Sequence, residues 1–298
     1  MLQEGRLHVS DLTIGVAQRI PLPFETPLTA FAADVAATLA CFPEISLLSY
    51  PELHLVGLEH LPLEDREAAL RSSAQRLDSP FVAALGTIAA HHGIWLCPGS
   101  IIEVDESGAH YNTQLIFDPG GSLRASYRKM FPWRPYEKVA PGIQFEVLAA
   151  EGLGHIGLSN CYDTWFPEHS RQLAWLGAEV ILNIAQSRAA DRAQELVLAR
   201  AHAITNQCMF VSVNCAAPFG RGRSLIIDAE GEVLADAGTE EATIVATIAD
   251  ARVEQVRTFG TAGLNRLWGQ FVDGDAPIHL PMYNGSIDPA NWAPRARW

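Results

Sequence analysis

Cys161 stands in the run GHIGLSNCYDTWFPEHSRQLAWLG, between a stretch that reads as a short strand (residues 154–160) and one that reads as a helix from Pro167 onward, with apolar Leu173, Trp175 and Leu176 along one flank. A thiol at such a corner is either a small packed hydrophobe or a nucleophile. It becomes the second only where a base or a positive field favours the thiolate. The helix that follows would turn its N–H groups and positive dipole end toward the sulfur, and those donors could hold an oxyanion formed beside it. Two other stretches offer partners. SYPELHLVG places Glu52 directly after a proline at the end of an apolar strand, the strand edge where open α/β folds build their sites; a solvated loop glutamate has the same local pattern. RASYRKMFPWRPYEKVAPG carries Arg128, Lys129, Glu137 and a Pro141–Gly142 turn. Phe131, Trp133 and Tyr136 interleave with these charges, which a purely solvated loop does not need.

The elements that must position these residues alternate strand and helix, favouring an α/β fold. Leu12–Gln18, Ile45–Tyr50, Ile94–Pro98, Glu179–Ile184 and Met209–Asn214 read as strands, as do Ser224–Asp228 and Thr243–Ile248. Leu28–Leu39, Pro80–His92 and residues 191–207 carry apolar positions at helical spacing. Residues 112–117 and 122–127 flank DPGG, a hairpin turn, and DAEGEV marks a second. No Pro/Ser-rich linker divides the chain, so residues 1–263 are expected to form one domain. Residues 264–298, rich in Pro, Trp and Gly without a period, are expected to be an irregular extension packed on their own or a neighbouring subunit.

The chain has 298 residues, 48% of them hydrophobic, enough for a substantial core. Its formal charge of −13 argues against nucleic-acid and anionic-membrane partners. No apolar run approaches the ~20 residues a bilayer span requires. The five cysteines are odd in number, widely spaced and without a CxxC pair. With no secretory leader pattern at the N-terminus, a reducing cytoplasm is the expected location. No His/Cys/Asp spacing suggests a metal.

The order of motifs is Glu after a strand, then Lys in Y-R-K with a downstream P-G, then Cys in C-Y-D-x-x-F-P-E. It resembles the nitrilase superfamily, the carbon–nitrogen hydrolases. YNTQLIFDPGGSL is similar to that family's Y-N-x hairpin, and LARAHAITNQCMFVSVN and GRSLIIDAEGEVLADAG to its later helix, strand and hairpin. The likeness spans about residues 10–257. It implies a four-layer α-β-β-α sandwich, homodimers or larger homo-oligomers, a small-molecule amide or related substrate, and no cofactor. Carried over by residue, it implies Glu52 as general base, Lys129 as the cation facing an oxyanion, Cys161 as nucleophile and Glu137 as the residue that positions substrate. The reaction would pass through a thioester, with the Tyr162 N–H as a further oxyanion donor. Trp133, Tyr136, Trp165 and Phe166 would lie near the nucleophile, which suggests an apolar or aromatic portion in the substrate.

The chain departs from the pattern in places. Tyr50 stands where Phe is commoner before Pro-Glu, and Met130 follows the lysine where many members have His. The C-Y-D elbow matches neither the C-W-E of nitrilases nor the C-D-D of aliphatic amidases. The aromatic-Pro stretch before Glu137 is similar to the amidase and formamidase loop, so amide hydrolysis is the favoured reading. N-carbamoyl amine hydrolysis comes next and nitrile hydrolysis third. A catalytically idle scaffold and a soluble acyltransferase are the readings from other classes.

Overall fold

The computed structural model describes residues 12–26, 28–248, 251–281 and 284–287. In chain order the elements begin with β1 (Leu12–Gln18), α1 (Leu28–Cys41), β2 (Leu47–Ser49), α2 (Leu63–Ser72), α3 (Pro80–His92), β3 (Trp95–Cys97) and β4 (Ser100–Val104). The hairpin β5 (His110–Phe117) and β6 (Leu123–Arg128) precedes β7 (Val147–Ala150) and β8 (Gly154–Asn160). A 3-10 turn, Cys161–Trp165, leads into α4 (Pro167–Trp175), β9 (Val180–Ala185), α5 (Arg192–Asn206) and β10 (Met209–Asn214). Then come β11 (Leu225–Ile227), β12 (Val233–Asp236), β13 (Ala242–Ile248), α6 (Ala251–Phe259), and the ribbon β14 (Ile278–Leu280) and β15 (Gly285–Ile287).

Period-two alternation along the strands separates the layers. In β9, Val180, Leu182 and Ile184 enter one core while Ile181 enters another; in β10, Met209, Val211 and Val213 part from Phe210 in the same way. The first core joins the two sheets face to face, with Ile14, Val16 and Ile116 on one side and Leu158, Leu182 and Val211 on the other. A second core lies between the first sheet and α1 and α3, through Phe31, Val35, Val82 and Leu85. A third lies between the second sheet and α4 and α5, through Leu173, Ala199 and Ala203. The result is an α-β-β-α sandwich. Among the described residues the first sheet runs β13-β1-β2-β3-β5-β4 with β6 also on β5, and the second β12-β11-β10-β9-β8-β7. The β1–β2–β3 and β8–β9–β10 pairings are parallel, and the carboxyl ends of β2 and β8 lead directly to Glu52 and Cys161. No helix among the described residues is long and apolar enough to cross a membrane.

Local signals account for the element ends. Ser79 caps α3 by accepting from the Val82 N–H, Pro80 occupies its first turn, and Gly93 at φ 63° closes it. The strands and helices expected from the sequence are present, their ends shifted by a few residues at most. Elements that go beyond that reading include α2, β4, β7, α6, the 3-10 turn at Cys161 and the β14–β15 ribbon. Of these, α2 buries none of its residues, so no apolar period announces it. Of the tail, Trp268 is buried near Trp175 and under the guanidinium of Arg171 on the same chain, and β14–β15 form a separate ribbon. Residues 288–298, with Trp292 and Trp298, lie outside the described residues.

Two glycines let the backbone close on the future site. A Cβ on Gly99, which has φ +97°, would lie 2.0 Å from the Pro51 carbonyl oxygen, and one on Gly142 would lie 2.0 Å from that of Arg128. Pro51 and Arg128 immediately precede Glu52 and Lys129, and the Gly142 N–H donates to the Lys129 carbonyl (2.8 Å). Gly142→Ala is therefore expected to destabilise the fold by ~1–3 kcal/mol and to displace Lys129. Thermal melting and the alkylation rate of Cys161 measure the two effects.

Candidate active site

The site forms where β2, β6 and β8 end. Glu52 lies just beyond β2 and is 4% exposed; Lys129, the first residue after β6, is 1% exposed. Glu137 is carried on the loop that returns from Lys129 to Gly142. Cys161 opens the 3-10 turn at φ 51°, a left-handed conformation that costs a non-glycine residue energy and persists where surroundings enforce it. The enforcement is visible. Buried Asp163 accepts from the Asn160 N–H (2.9 Å) and from the Phe131 N–H (2.9 Å). The Tyr127 hydroxyl donates to Asp163 Oδ2 (2.7 Å) and lies 2.7 Å from His169 Nε2. Asp163 thus fastens the Cys161 turn to the segment that carries Lys129.

At the floor, Lys129 Nζ donates to Glu52 Oε1 at 3.0 Å and to Glu137 Oε2 at 2.6 Å. Asn112 Nδ2 bridges the same two carboxylates, at 2.8 Å to Glu52 Oε1 and 3.1 Å to Glu137 Oε1. The Gln186 N–H donates to Glu52 Oε2 (2.9 Å), and the Trp133 N–H to Glu137 Oε2 (2.6 Å). Each carboxylate therefore accepts from the ammonium, from the Asn112 amide and from one backbone N–H.

These surroundings push the two acids apart. Burial raises the Glu52 pKa, reinforced by the charge of Glu137 and only partly offset by Lys129. Glu137 meets the same desolvation, but Lys129 and the Trp133 and Asn112 donors outweigh it and hold its carboxyl below the ordinary range. Burial opposes the Lys129 ammonium, yet Glu52, Cys161 and Glu137 together hold its pKa well above the usual lysine value. Burial and the Glu52 carboxylate push the Cys161 thiol well up, against the pull of Lys129. The arrangement is a thiol and a carboxyl whose pKa values are both raised, beside a lysine whose charged form is favoured. Such a set can move a proton off sulfur and receive negative charge on a reacting oxygen.

Above this floor opens a cavity of about 750 Å³. Glu52, Lys129, Glu137 and Cys161 all line it, and Tyr162, Trp133 and Tyr136 stand on its walls together with α2 residues such as Leu63 and Leu70. Trp133 and Tyr136 pair ring to ring at 4.4 Å. Trp165 and Phe166, expected beside the nucleophile, are not part of the lining. Both rings lie against that of Tyr162, at 6.1 Å and 5.7 Å, and Phe166 stacks on Phe131 at 3.7 Å, nearly parallel. His54, His155 and His169 are held in packing or pairing contacts with Tyr50, Glu179 and Tyr127. Nothing in the sequence alone singles out Asn112, Asp163 or the Gln186 N–H. Asn112 lies inside the quoted Y-N-x stretch, but an asparagine on a strand signals nothing until the strand's neighbours are known.

Among proteins of known sequence, residues 6–258 match the family described as carbon-nitrogen hydrolase. A formamidase of Pseudomonas syringae pv. tomato is 31% identical over 68% of this chain and 59% of its own length; the chain thus spans only about three-fifths of that relative. A 2-oxoglutaramate amidase of Paenarthrobacter nicotinovorans is 32% identical over 63% of this chain and 69% of that protein. In three dimensions, Saccharomyces cerevisiae Nit3, of branch 10 of the nitrilase superfamily, superposes with a TM-score of 0.75 at 22% identity, covering 86% of this chain and 97% of that one. The Nesterenkonia sp. AN1 amidase of the same superfamily, solved as a cysteine-to-alanine mutant in complex with butyramide, gives 0.66 at 26% identity, covering 84% and 95%. On the matched sequence and the shared fold, the chain belongs to the carbon-nitrogen hydrolase family of the nitrilase superfamily.

Proposed function

We propose that this protein hydrolyses a carboxamide, R–CO–NH₂, to the acid and ammonia with Cys161 as nucleophile. The observation that carries the reading is the convergence of Cys161, Glu52 and Lys129 on one cavity floor, with Lys129 held between two carboxylates. Relatives named formamidase and 2-oxoglutaramate amidase, and a structural neighbour with butyramide bound, support an amide over a nitrile. A glutamate-to-glutamine mutant of that neighbour carries the acetamide moiety of fluoroacetamide on its active-site cysteine, which supports the same division between a thiol and a carboxyl.

Glu52 accepts the thiol proton as Cys161 Sγ bonds to the carbonyl carbon. The carbonyl π electrons move to oxygen, where Lys129 Nζ and the Tyr162 N–H stabilise the charge. Protonated Glu52 then gives its proton to the amide nitrogen, the C–N bond breaks and ammonia departs. Water enters, loses a proton to Glu52 and attacks the thioester; the C–S bond breaks and the thiolate regains the proton. Glu137, kept ionised beside Lys129, serves as a fixed counter-charge and as an acceptor for the substrate's N–H. The cavity of about 750 Å³ falls within the ~300–1,000 Å³ of sites that enclose drug-sized ligands. Its Leu63, Leu70, Trp133 and Tyr136 surfaces favour an acyl group with an apolar body over the single hydrogen of formamide.

Ammonia release from a panel of aliphatic and aromatic carboxamides, N-carbamoyl amines and nitriles tests the reading, with Cys161→Ala as control. Release from carboxamides that is lost in the variant is the expected result. Release from carbamoyl compounds alone would move the substrate class, and silence with an unreactive Cys161 would restore the scaffold reading.

Activity is expected to fall on the acid side as Glu52 takes up a proton, because only its ionised form accepts one from sulfur. Since the Glu52 pKa is raised, that limb of the kcat/KM profile should lie above an ordinary glutamate's. Glu52→Gln should abolish the limb and lower kcat/KM by at least ~10²-fold.

A further inference from the structure

Asn112 is 1% exposed on β5 and engages every polar atom of its side chain. Its Nδ2 sends one N–H to Glu52 Oε1 and the other to Glu137 Oε1, while its Oδ1 accepts from Asn160 Nδ2 at 3.0 Å. Its backbone carbonyl accepts from the Lys129 N–H at 2.9 Å. Asn160 directly precedes Cys161. One residue thus touches both acids, the backbone of the cation, and the strand that ends at the thiol.

We infer that Asn112 is a positioning residue of this site: its amide holds Glu52 and Glu137 in register with Cys161 and favours the ionised form of Glu52. The inference rests on Glu52 acting as the base.

The amide can adopt only one orientation. Flipping it would aim Oδ1 at two carboxylates and Nδ2 at the Asn160 amide nitrogen, replacing three hydrogen bonds by three like-polarity contacts. The choice of an amide also has a chemical reason. Glu52 faces Lys129, Glu137 and Cys161, and the thiol is further influenced by Glu195 of α5. With both acids ionised, the Glu52–Lys129–Glu137 group carries one net negative charge, which favours proton uptake. A neutral donor on both acids resists that uptake through hydrogen bonding to the charged forms. A second ammonium in its place would bind the carboxylate too firmly for it to accept the thiol proton. An amide has no proton to lose near neutral pH, so its contacts with Glu137 and Asn160 persist while Glu52 cycles between its two states.

The test is the rate at which iodoacetamide alkylates Cys161 across the pH range, read by mass spectrometry on the peptide containing it so that label on exposed Cys41 is not counted. Asn112→Asp keeps the shape and adds a carboxylate. It should raise the Glu52 pKa and move the acid limb of the alkylation profile upward by about one pH unit or more. Asn112→Ala removes the donor and should slow alkylation near neutral pH by about tenfold, with the limb moved the same way. If both variants keep the wild-type limb and lose only thermal stability, Asn112 is structural and the inference fails. The Asn112→Asp variant carries the test alone if the alanine variant does not fold. Glu52→Gln separates the two layers of the argument. A limb absent there but unmoved in Asn112→Asp overturns the role of Asn112 alone, whereas a wild-type limb in Glu52→Gln overturns Glu52 as base and this inference with it.

Discussion

A fully buried ammonium held between two carboxylates is the constraint on which this architecture turns. Removing a lysine from water costs several kcal/mol, even after relaxation, and is tolerable only where partners replace its hydration. Lys129 finds Glu52 and Glu137 within 3.0 Å and 2.6 Å. The carboxylates in turn need donors, and Asn112 and the Gln186 and Trp133 N–H groups supply them. None of these residues is a sequence neighbour of all the others. The exit of β2, the exit of β6, the return of the loop at Gly142 and the loop after β9 must each be placed to within the tolerance of a hydrogen bond. Gly99 and Gly142 are where the chain gives up side chains to achieve it.

The same cation makes the two acids unequal. Glu137 has the shorter contact with Lys129 and keeps some exposure to the cavity; Glu52 is more deeply buried and has the longer contact. Desolvation therefore wins at Glu52 and charge pairing wins at Glu137. Two carboxyls that share one ammonium end with pKa values shifted in opposite directions, a separation set by environment and not by residue type. The raised thiol pKa fits this division.

Much of this was legible in the chain. The apolar runs of β9 and β10 and the capped, Pro-initiated α3 announce themselves locally. Glu52, Lys129, Glu137 and Cys161 stand in motifs whose order is informative. Asn112 was not legible, because its importance comes from β5 lying where β2 and β6 end, a long-range fact. α2 was not legible for the opposite reason: it packs none of its side chains into a core and so has no apolar period, yet it supplies a cavity wall. Trp165 and Phe166 follow Cys161 closely in sequence and pack against Tyr162 without lining the cavity. Phe131 offers Phe166 a flat ring to stack on.

The site is also a seam between the two sheets. Glu52, Lys129 and Asn112 belong to the first sheet and its exits; Cys161, Asn160 and Gln186 belong to the second. Polar links cross between them: the Gln186 N–H to Glu52, Asn160 to Asn112, and the Phe131 N–H and the Tyr127 hydroxyl to Asp163. Further links lie away from the cavity, from Gln114 to the Leu182 carbonyl and from Ser224 to Gln18. The apolar core between the sheets supplies most of the attraction but little direction, since the hydrophobic effect is non-directional. The buried hydrogen bonds fix how one sheet sits on the other, because an offset of an ångström would leave several of their groups unpaired. Registering the sheets and assembling the site are therefore one event: the strained Cys161 turn meets Glu52 and Lys129 only in the docking that also satisfies the polar seam.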